Sequence, residues 1–288
     1  MPAGPAKAAE LIHTVLSVTA PPRPLREVLL DIILTHLWAV GADAEDKADI
    51  WLARFRRRLA FIAAEAMEEG KYRSFTFNSA TEEYVQGYCF VEPSDAPAVV
   101  EAKRKRANTI HIFEHVSRIT ELEFEVLSGK VLELLRVEEA FVSRRSADQG
   151  VDFFGRVKFG DILKPQLLDP GAEKNFHVWL VGQSKHYPES RVSTQEVREL
   201  VGSVELAKAK VFAGRVDPLD ELRAKVCDPV FYLFFTTGRF TRDSKDILSR
   251  SGVLSFNGLQ IAQFLADHGV GMSAAGFDAA AFEDWLRS

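Results

Sequence analysis

The chain has 288 residues, 47% hydrophobic and 27% charged, which suits one large globular domain or two ordinary ones with ample core. Its formal net charge of −5 argues against coating nucleic acid through bulk electrostatics, yet leaves room for a groove that is basic only where it faces phosphates. Cys89 and Cys227 form no CxxC, no apolar run approaches the roughly 18–20 residues of a membrane span, and Met1-Pro2-Ala3-Gly4-Pro5-Ala6-Lys7 lacks a signal-peptide pattern, so the expectation is a cytoplasmic chain with reduced thiols and no membrane partner.

Residues 1–24 read as a loose leader ending in Ala20-Pro21-Pro22-Arg23-Pro24, where the prolines impose extended backbone. Leu25, Val28, Leu29, Ile32, Ile33, His36 and Leu37 follow helical spacing and predict one amphipathic helix. A second helix is predicted over 45–69, with Trp51, Phe55, Leu59 and Ile62 on one face and Gly70 as its stop. Residues 72–92 hold β-favouring patches, Phe75-Thr76-Phe77 and Tyr84 to Val91, that suit a hairpin. Helix, helix, hairpin is the order of a winged-helix DNA-binding module, and equally of a plain helical cap. The basic clusters Arg54-Phe55-Arg56-Arg57-Arg58 and Lys103-Arg104-Lys105-Arg106 read either as solvated helix faces or as local phosphate-facing surfaces.

The texture changes near residue 115, which divides the chain into a mainly helical N-terminal domain over 1–115 and an α/β domain over 116–288. Helical periodicity runs from Val116 to Leu135 and from Thr194 to Phe212; strands are predicted at 150–159, 176–184 and 252–256, with a helix over 257–267. The continuous apolar run Val230 to Phe235 predicts a strand buried on both faces. Asp161 to Asn175, with two prolines and a glycine, reads as a loop or insertion. The fold class expected is α/β, helices packed on a mixed sheet.

Two strand-like segments interrupt themselves with polar groups. Asp152 follows the Gly150 turn, and Gln183 and Lys185 lie two apart, so on a strand both side chains take one face. A carboxylate, an amide oxygen and a lysine on one sheet make a divalent-metal site suited to phosphodiester hydrolysis. The bland reading is a turn cap, an edge polar group and a solvated strand end. His111 and His115 are four apart but lack the HExxH arrangement, and Ser128-Gly129-Lys130 lacks the upstream glycines of a P-loop, so zinc-hydrolase and nucleotide-loop readings are set aside.

The order of Phe124-Glu125, Asp148-Gln149-Gly150-Val151-Asp152, Gln183-Ser184-Lys185-His186-Tyr187, Val197-Arg198-Glu199-Leu200-Val201-Gly202 and Thr236-Thr237-Gly238-Arg239-Phe240-Thr241 resembles the catalytic domain of Mrr-type restriction endonucleases, within the PD-(D/E)xK nuclease superfamily. The resemblance covers roughly residues 116–268, with a long insertion after 158. It implies a restriction-endonuclease-like mixed β-sheet flanked by helices. It further implies an endonuclease cutting foreign or modified (methylated) double-stranded DNA in host defence. The family often places a winged-helix reader at the N-terminus, where this chain has no comparable match.

Within that resemblance Asp152 anchors Mg²⁺ (or Mn²⁺), and Gln183 stands where the superfamily commonly has an acid and the Mrr type has glutamine. An amide oxygen coordinates without adding charge, so Glu125 on the preceding helix is the compensating carboxylate, with Glu121 and Glu123 as neighbouring alternatives. Lys185 orients or deprotonates the attacking water or stabilises the transition state. Asp148 belongs to the turn. His186, Tyr187, Arg191, Thr237 and Arg239 are candidate DNA contacts, against the plain reading of surface loop residues. Cutting both strands calls for two active sites, hence a homodimer. Other classes stay open: a non-catalytic DNA-binding or regulatory protein that kept the nuclease fold, or a nuclease acting on RNA or on repair and recombination DNA.

Overall fold

A computed structural model describes residues 3–68, 70–143, 150–158, 177–211 and 219–288. The chain forms two compact units, Met1–Thr109 and Ile110–Ser288.

The first unit opens with α1 (Pro5–Glu10) and a 3₁₀ turn at Ile12–Thr14. The stretch expected to be a loose leader is therefore structured: Ala8, Ala9, Ile12 and Leu16 are buried in one core with Leu29, Ile33, Phe55 and Leu59. Pro5 lies in the first turn of α1, where a missing N–H leaves nothing unsatisfied. Alanine gives α1 a close seat against the later helix of this unit but little apolar signal, which is why periodicity overlooked it. Next come β1 (Arg23–Pro24), α2 (Leu25–Thr35), α3 (Ala42–Glu68), β2 (Phe75–Phe77), β3 (Tyr84–Gly87) and α4 (Pro97–Arg106). Leu37 does not extend α2 as its spacing suggested; it takes a left-handed φ of 52° and is 79% exposed. The three strands form an antiparallel sheet in the order β1-β3-β2. Pro24 sits on its edge strand, where a missing donor is tolerated.

The second unit is built on a five-stranded mixed sheet. Its elements are α5 (Thr109–Val116), α6 (Glu121–Leu134), β4 (Glu139–Val142), β5 (Phe153–Lys158), β6 (His177–Lys185), β7 (Arg191–Val192), α7 (Thr194–Lys208), β8 (Val230–Thr236), β9 (Arg239–Phe240), α8 (Arg242–Ser251), β10 (Leu254–Phe256), α9 (Gly258–Asp267), β11 (Met272–Ser273), β12 (Gly276–Phe277) and α10 (Ala279–Arg287). The sheet order is β10-β8-β6-β5-β4; β4, β5 and β6 pair antiparallel, while β6, β8 and β10 pair parallel.

Side-chain alternation sends one set of sheet residues to each helical layer. Phe153, Val157, Leu233 and Phe235 pack with α5, α6, α9 and α10. Phe154, Trp179, Val181 and Phe234 pack with α7 and α8. This is the α/β architecture expected from the sequence, a mixed sheet flanked by helices. α6 and α7 both start at capping boxes, Thr120 with Glu123 and Ser193 with Glu196, which satisfy the first free N–H groups.

β8 departs from its expected full burial. Phe231 is 47% exposed, and the strand is enclosed only from Leu233 onward. β4 was not anticipated, because four residues carry too little alternation to distinguish a strand from a loop. The expected loop at 161–175 and the turn residue Asp148 lie outside the described residues.

Candidate active site

The C-terminal ends of β6 and β8 and the N-terminal end of β5 meet at one edge of the sheet. The ladder between β5 and β6 pairs Phe153 with Gly182, and the Asp152 amide continues it by donating to the Gly182 carbonyl at 2.9 Å. Asp152 therefore stands beside Gln183 and Ser184. Gly182 is required there: an added Cβ would lie 2.4 Å from the Phe153 ring. That ring crosses the glycine and stacks on Phe235, with centroids 4.9 Å apart.

Asp152 is only 6% exposed, and Ser184 fixes it. One carboxylate oxygen accepts the Ser184 N–H at 2.7 Å and the Ser184 hydroxyl at 3.1 Å. Its orientation is thus set by the backbone of the neighbouring strand. Gln183 is 4% exposed, and its Oε1 is buried with no hydrogen-bond partner among the described residues. The Gln183 amide nitrogen lies against the Gly150 turn, where φ is +84° and an added Cβ would come within 2.4 Å of Ser203 Oγ on α7. Both the left-handed backbone and the close approach demand glycine at 150.

Lys185 ends β6, paired with Thr236. Its carbonyl accepts the Thr236 hydroxyl at 2.8 Å and the Thr237 N–H at 3.3 Å. Its half-buried side chain acts on Glu196 at the start of α7. Burial would raise the Glu196 carboxyl, but hydrogen bonds from Ser193 and the Lys185 ammonium outweigh it and hold the group below the usual carboxylate range. Glu196, Ser184 and Thr236 were not singled out from the sequence. Ser193-x-x-Glu196 is legible as a helix start, yet nothing in it announces a neighbouring lysine. The serine and threonine act through backbone geometry that no spacing reveals.

Glu125 is half-buried in the second turn of α6. Phe124 beside it packs edge-on against the His186 ring, centroids 5.7 Å apart, which ties the start of α6 to the end of β6. α6 lies on the layer opposite α7, whereas Gln183 faces α7. The register thus places Asp152 beside Gln183, with Lys185 two residues further along the same strand face, and brings α6 to the same edge from the other side. Among the described residues no three His, Cys, Asp or Glu side chains gather in a metal-sized cluster.

The outer candidates differ in accessibility. His186 Nε2 and Thr237 Oγ1 are buried without a partner among the described residues. Tyr187 packs into the α7-side core. Arg191 and Arg239 are exposed and directly opposite one another on β7 and β9. A cavity of about 420 Å³ lies at the other end of the sheet, lined by residues including Phe141, Arg156, His177 and Trp179. It contains none of the candidate residues.

His111 and His115 do lie on a helix, α5, but His115 bonds Glu283 of α10 at 2.9 Å and packs on Phe282, so it ties two helices together. Cys89 is buried and Cys227 exposed, with neither in a disulfide among the described residues, and no described helix is long and apolar enough to cross a membrane.

No family model and no curated protein matches the chain. Among solved structures it is similar to MspJI restriction endonuclease in complex with a 27-mer oligonucleotide, with TM-score 0.42 and 19% identity over 69% of this chain and 40% of that one. It is also similar to the DNA modification-dependent restriction endonuclease AspBHI, with TM-score 0.40 and 15% identity over 70% of this chain and 45% of that one. Restriction endonuclease FokI bound to DNA gives TM-score 0.37 and 12% identity over 91% of this chain and 45% of that one. The chain spans less than half the length of each. Likeness at this level assigns no activity.

Proposed function

We propose that the chain is a metal-dependent endodeoxyribonuclease that hydrolyses phosphodiester bonds in double-stranded DNA. One observation carries the reading: the buried Oε1 of Gln183, unpartnered among the described residues, beside the fixed carboxylate of Asp152. Leaving a buried acceptor unsatisfied costs about 1–3 kcal/mol. A hard cation recovers that cost, since Mg²⁺ and Mn²⁺ take carboxylate and amide oxygens. Asp152 and Gln183 would hold it, with Glu125 as the further carboxylate that a neutral glutamine calls for.

When bound, such an ion neutralises charge on the phosphate oxygens and acidifies a bound water. The rest falls to the chain. Ser184 keeps Asp152 pointed at the site, so no reorganisation is needed when a phosphate arrives. Lys185 holds the attacking water in line with the phosphorus and meets the charge growing on the phosphate oxygens. Glu196, whose carboxyl the Lys185 ammonium helps hold below the usual carboxylate range, is the charged neighbour of that lysine at the start of α7.

The first unit supports a DNA-reading role. Its order α1-β1-α2-α3-β2-β3, with the sheet arranged β1-β3-β2, is that of a winged helix, and Arg54, Arg56 and Arg57 are exposed on α3. The Mrr resemblance extends the reading to foreign or methylated duplexes in host defence, cut by a homodimer. The test is incubation of methylated and unmethylated plasmid with Mg²⁺ or Mn²⁺, alongside Asp152→Ala and Lys185→Ala. The wild type is expected to linearise plasmid and both variants to fail. Binding of duplex without any metal-dependent cleavage would replace the enzyme with a DNA-binding protein that kept the fold.

A further inference from the structure

We propose that Arg191 and Arg239 form a two-pronged clamp that grips one backbone phosphate of the DNA near Lys185. This rests on the nuclease reading above and adds to it a built anchoring point.

The clamp follows from a short two-stranded sheet in the second unit. β7 and β9 pair in parallel with Arg191 opposite Arg239 and Val192 opposite Phe240. Val192 is buried in the α7-side core and Phe240 packs against it, so alternation turns both arginines to the other face, where both are exposed. Neighbouring strands lie only about 4.8 Å apart. Like charges directly opposite on adjacent strands oppose pairing. A ladder this short would ordinarily relieve that with an acid. Here, among the described residues, neither guanidinium has an ion pair or a side-chain hydrogen bond.

The ladder is instead held by its buried side and ends. The Thr241 N–H donates to the Val192 carbonyl at 3.1 Å, and the buried Ser244 hydroxyl donates to the same carbonyl at 3.0 Å. The pair is also fixed relative to the catalytic strand. β7 follows β6 and β9 follows β8 after short connections, and the Lys185 carbonyl holds both Thr236 and Thr237. Two forked, permanently charged donors on one face match a phosphate anion, which accepts several N–H bonds at once. The partner that complements them on a nuclease is the phosphodiester backbone next to the scissile bond.

The experiment measures duplex binding in the Asp152→Ala background and cleavage kinetics in the otherwise wild-type chain. It compares the native arginines with Arg191→Ala/Arg239→Ala, Arg191→Lys/Arg239→Lys and the single variant Arg239→Glu. The double alanine variant is expected to bind at least tenfold more weakly. The slope of log K against log salt should shrink by about 0.9 for each phosphate that is no longer neutralised. KM should rise with kcat changed less than threefold. The double lysine variant should keep the salt slope while losing part of the affinity. Without DNA, Arg239→Glu should melt no lower than wild type, because it gives Arg191 a partner, yet bind DNA as poorly as the double alanine variant. Unchanged affinity and salt slope in a chain that still cuts DNA would overturn the clamp and leave the nuclease intact. So would a lower melting temperature in the alanine and glutamate variants, or a fall in kcat with KM unchanged. A wild-type chain that neither binds nor cuts duplex DNA would overturn both.

Discussion

Gln183 is the residue on which the proposed chemistry turns. It sits in a strand, buried on the α7 side, with one amide oxygen facing no donor among the described residues. Replacing it by glutamate adds a charged ligand at the same reach. Gln183→Glu is therefore expected to tighten Mn²⁺ binding by about tenfold, roughly 1.4 kcal/mol, as read by calorimetry; unchanged or weaker binding would place the ion elsewhere. Glu196 makes a separate prediction with a definite sign. Its carboxyl is held below the ordinary value despite burial, by Ser193 and Lys185. A lowered folded-state pKa contributes stability that is present above the unfolded value near 4.5 and lost as pH falls through the folded one. Glu196→Gln should therefore flatten the acid limb of the stability curve below about pH 4.5, as measured by thermal melts across pH. A limb that stays as steep would remove Glu196 from it. Gln183 and Lys185 stood out at this scale because a strand's two-residue period puts them on one face, and Asp152 because it follows the Gly150 turn. Ser184 did not, since its role is to bond a carboxylate on another strand, 32 positions away in the chain.

At the scale of elements, the sequence pattern locates the central strands by their apolar, β-favouring patches, continuous in β8 and broken by polar residues in β5, β6 and β10. β5, β6, β8 and β10 all fall where such patches predict them. The misses are physical too. α1 buries alanines, which weigh little in any hydrophobic pattern, and β4 is too short to show alternation. The exposed start of β8 shows that a continuous apolar run gives a strand's extent without guaranteeing that its whole length is buried. The packing of Phe153 across Gly182 is the joint that aligns Asp152 with Gln183. Gly182→Ala would place a methyl group 2.4 Å from that ring and 2.8 Å from the Leu233 carbonyl. Overpacking of this kind costs about 1–3 kcal/mol. The variant should lose that stability in denaturant titrations and lose cleavage with it, whereas a neutral result would mean that the two strands have slack. Thr120→Ala removes the capping box of α6 and is expected to cost about 1 kcal/mol by the same measurement.

At the scale of the whole molecule, each unit has its own apolar core: Leu29, Ile33, Phe55 and Leu59 in the first, and the two layers around the five-stranded sheet in the second. A chain opened between 109 and 110 is expected to give two folded pieces, each with a cooperative melt by circular dichroism, and the metal-dependent chemistry should remain with the second. Failure of the second piece to fold alone would show that its core is incomplete without the first. The sequence changes texture near residue 115, from helix-rich to alternating helix and strand, while the compact units divide between 109 and 110. The candidate residues stood out as one acid before a strand and two polar groups within another, and the bonds around them emerged only with the register.

Whether Asp152 and Gln183 hold a catalytic ion is decided most sharply by single-turnover cleavage of a short duplex, with protein in excess. The rate is followed as a function of Mg²⁺ concentration for the wild type, Asp152→Ala and Gln183→Glu. Cleavage should saturate with metal in the wild type, be absent at every concentration in Asp152→Ala, and reach half-saturation at lower metal in Gln183→Glu. Cleavage that survives chelation, or survives the loss of Asp152, would contradict a metal-dependent nuclease built on these residues.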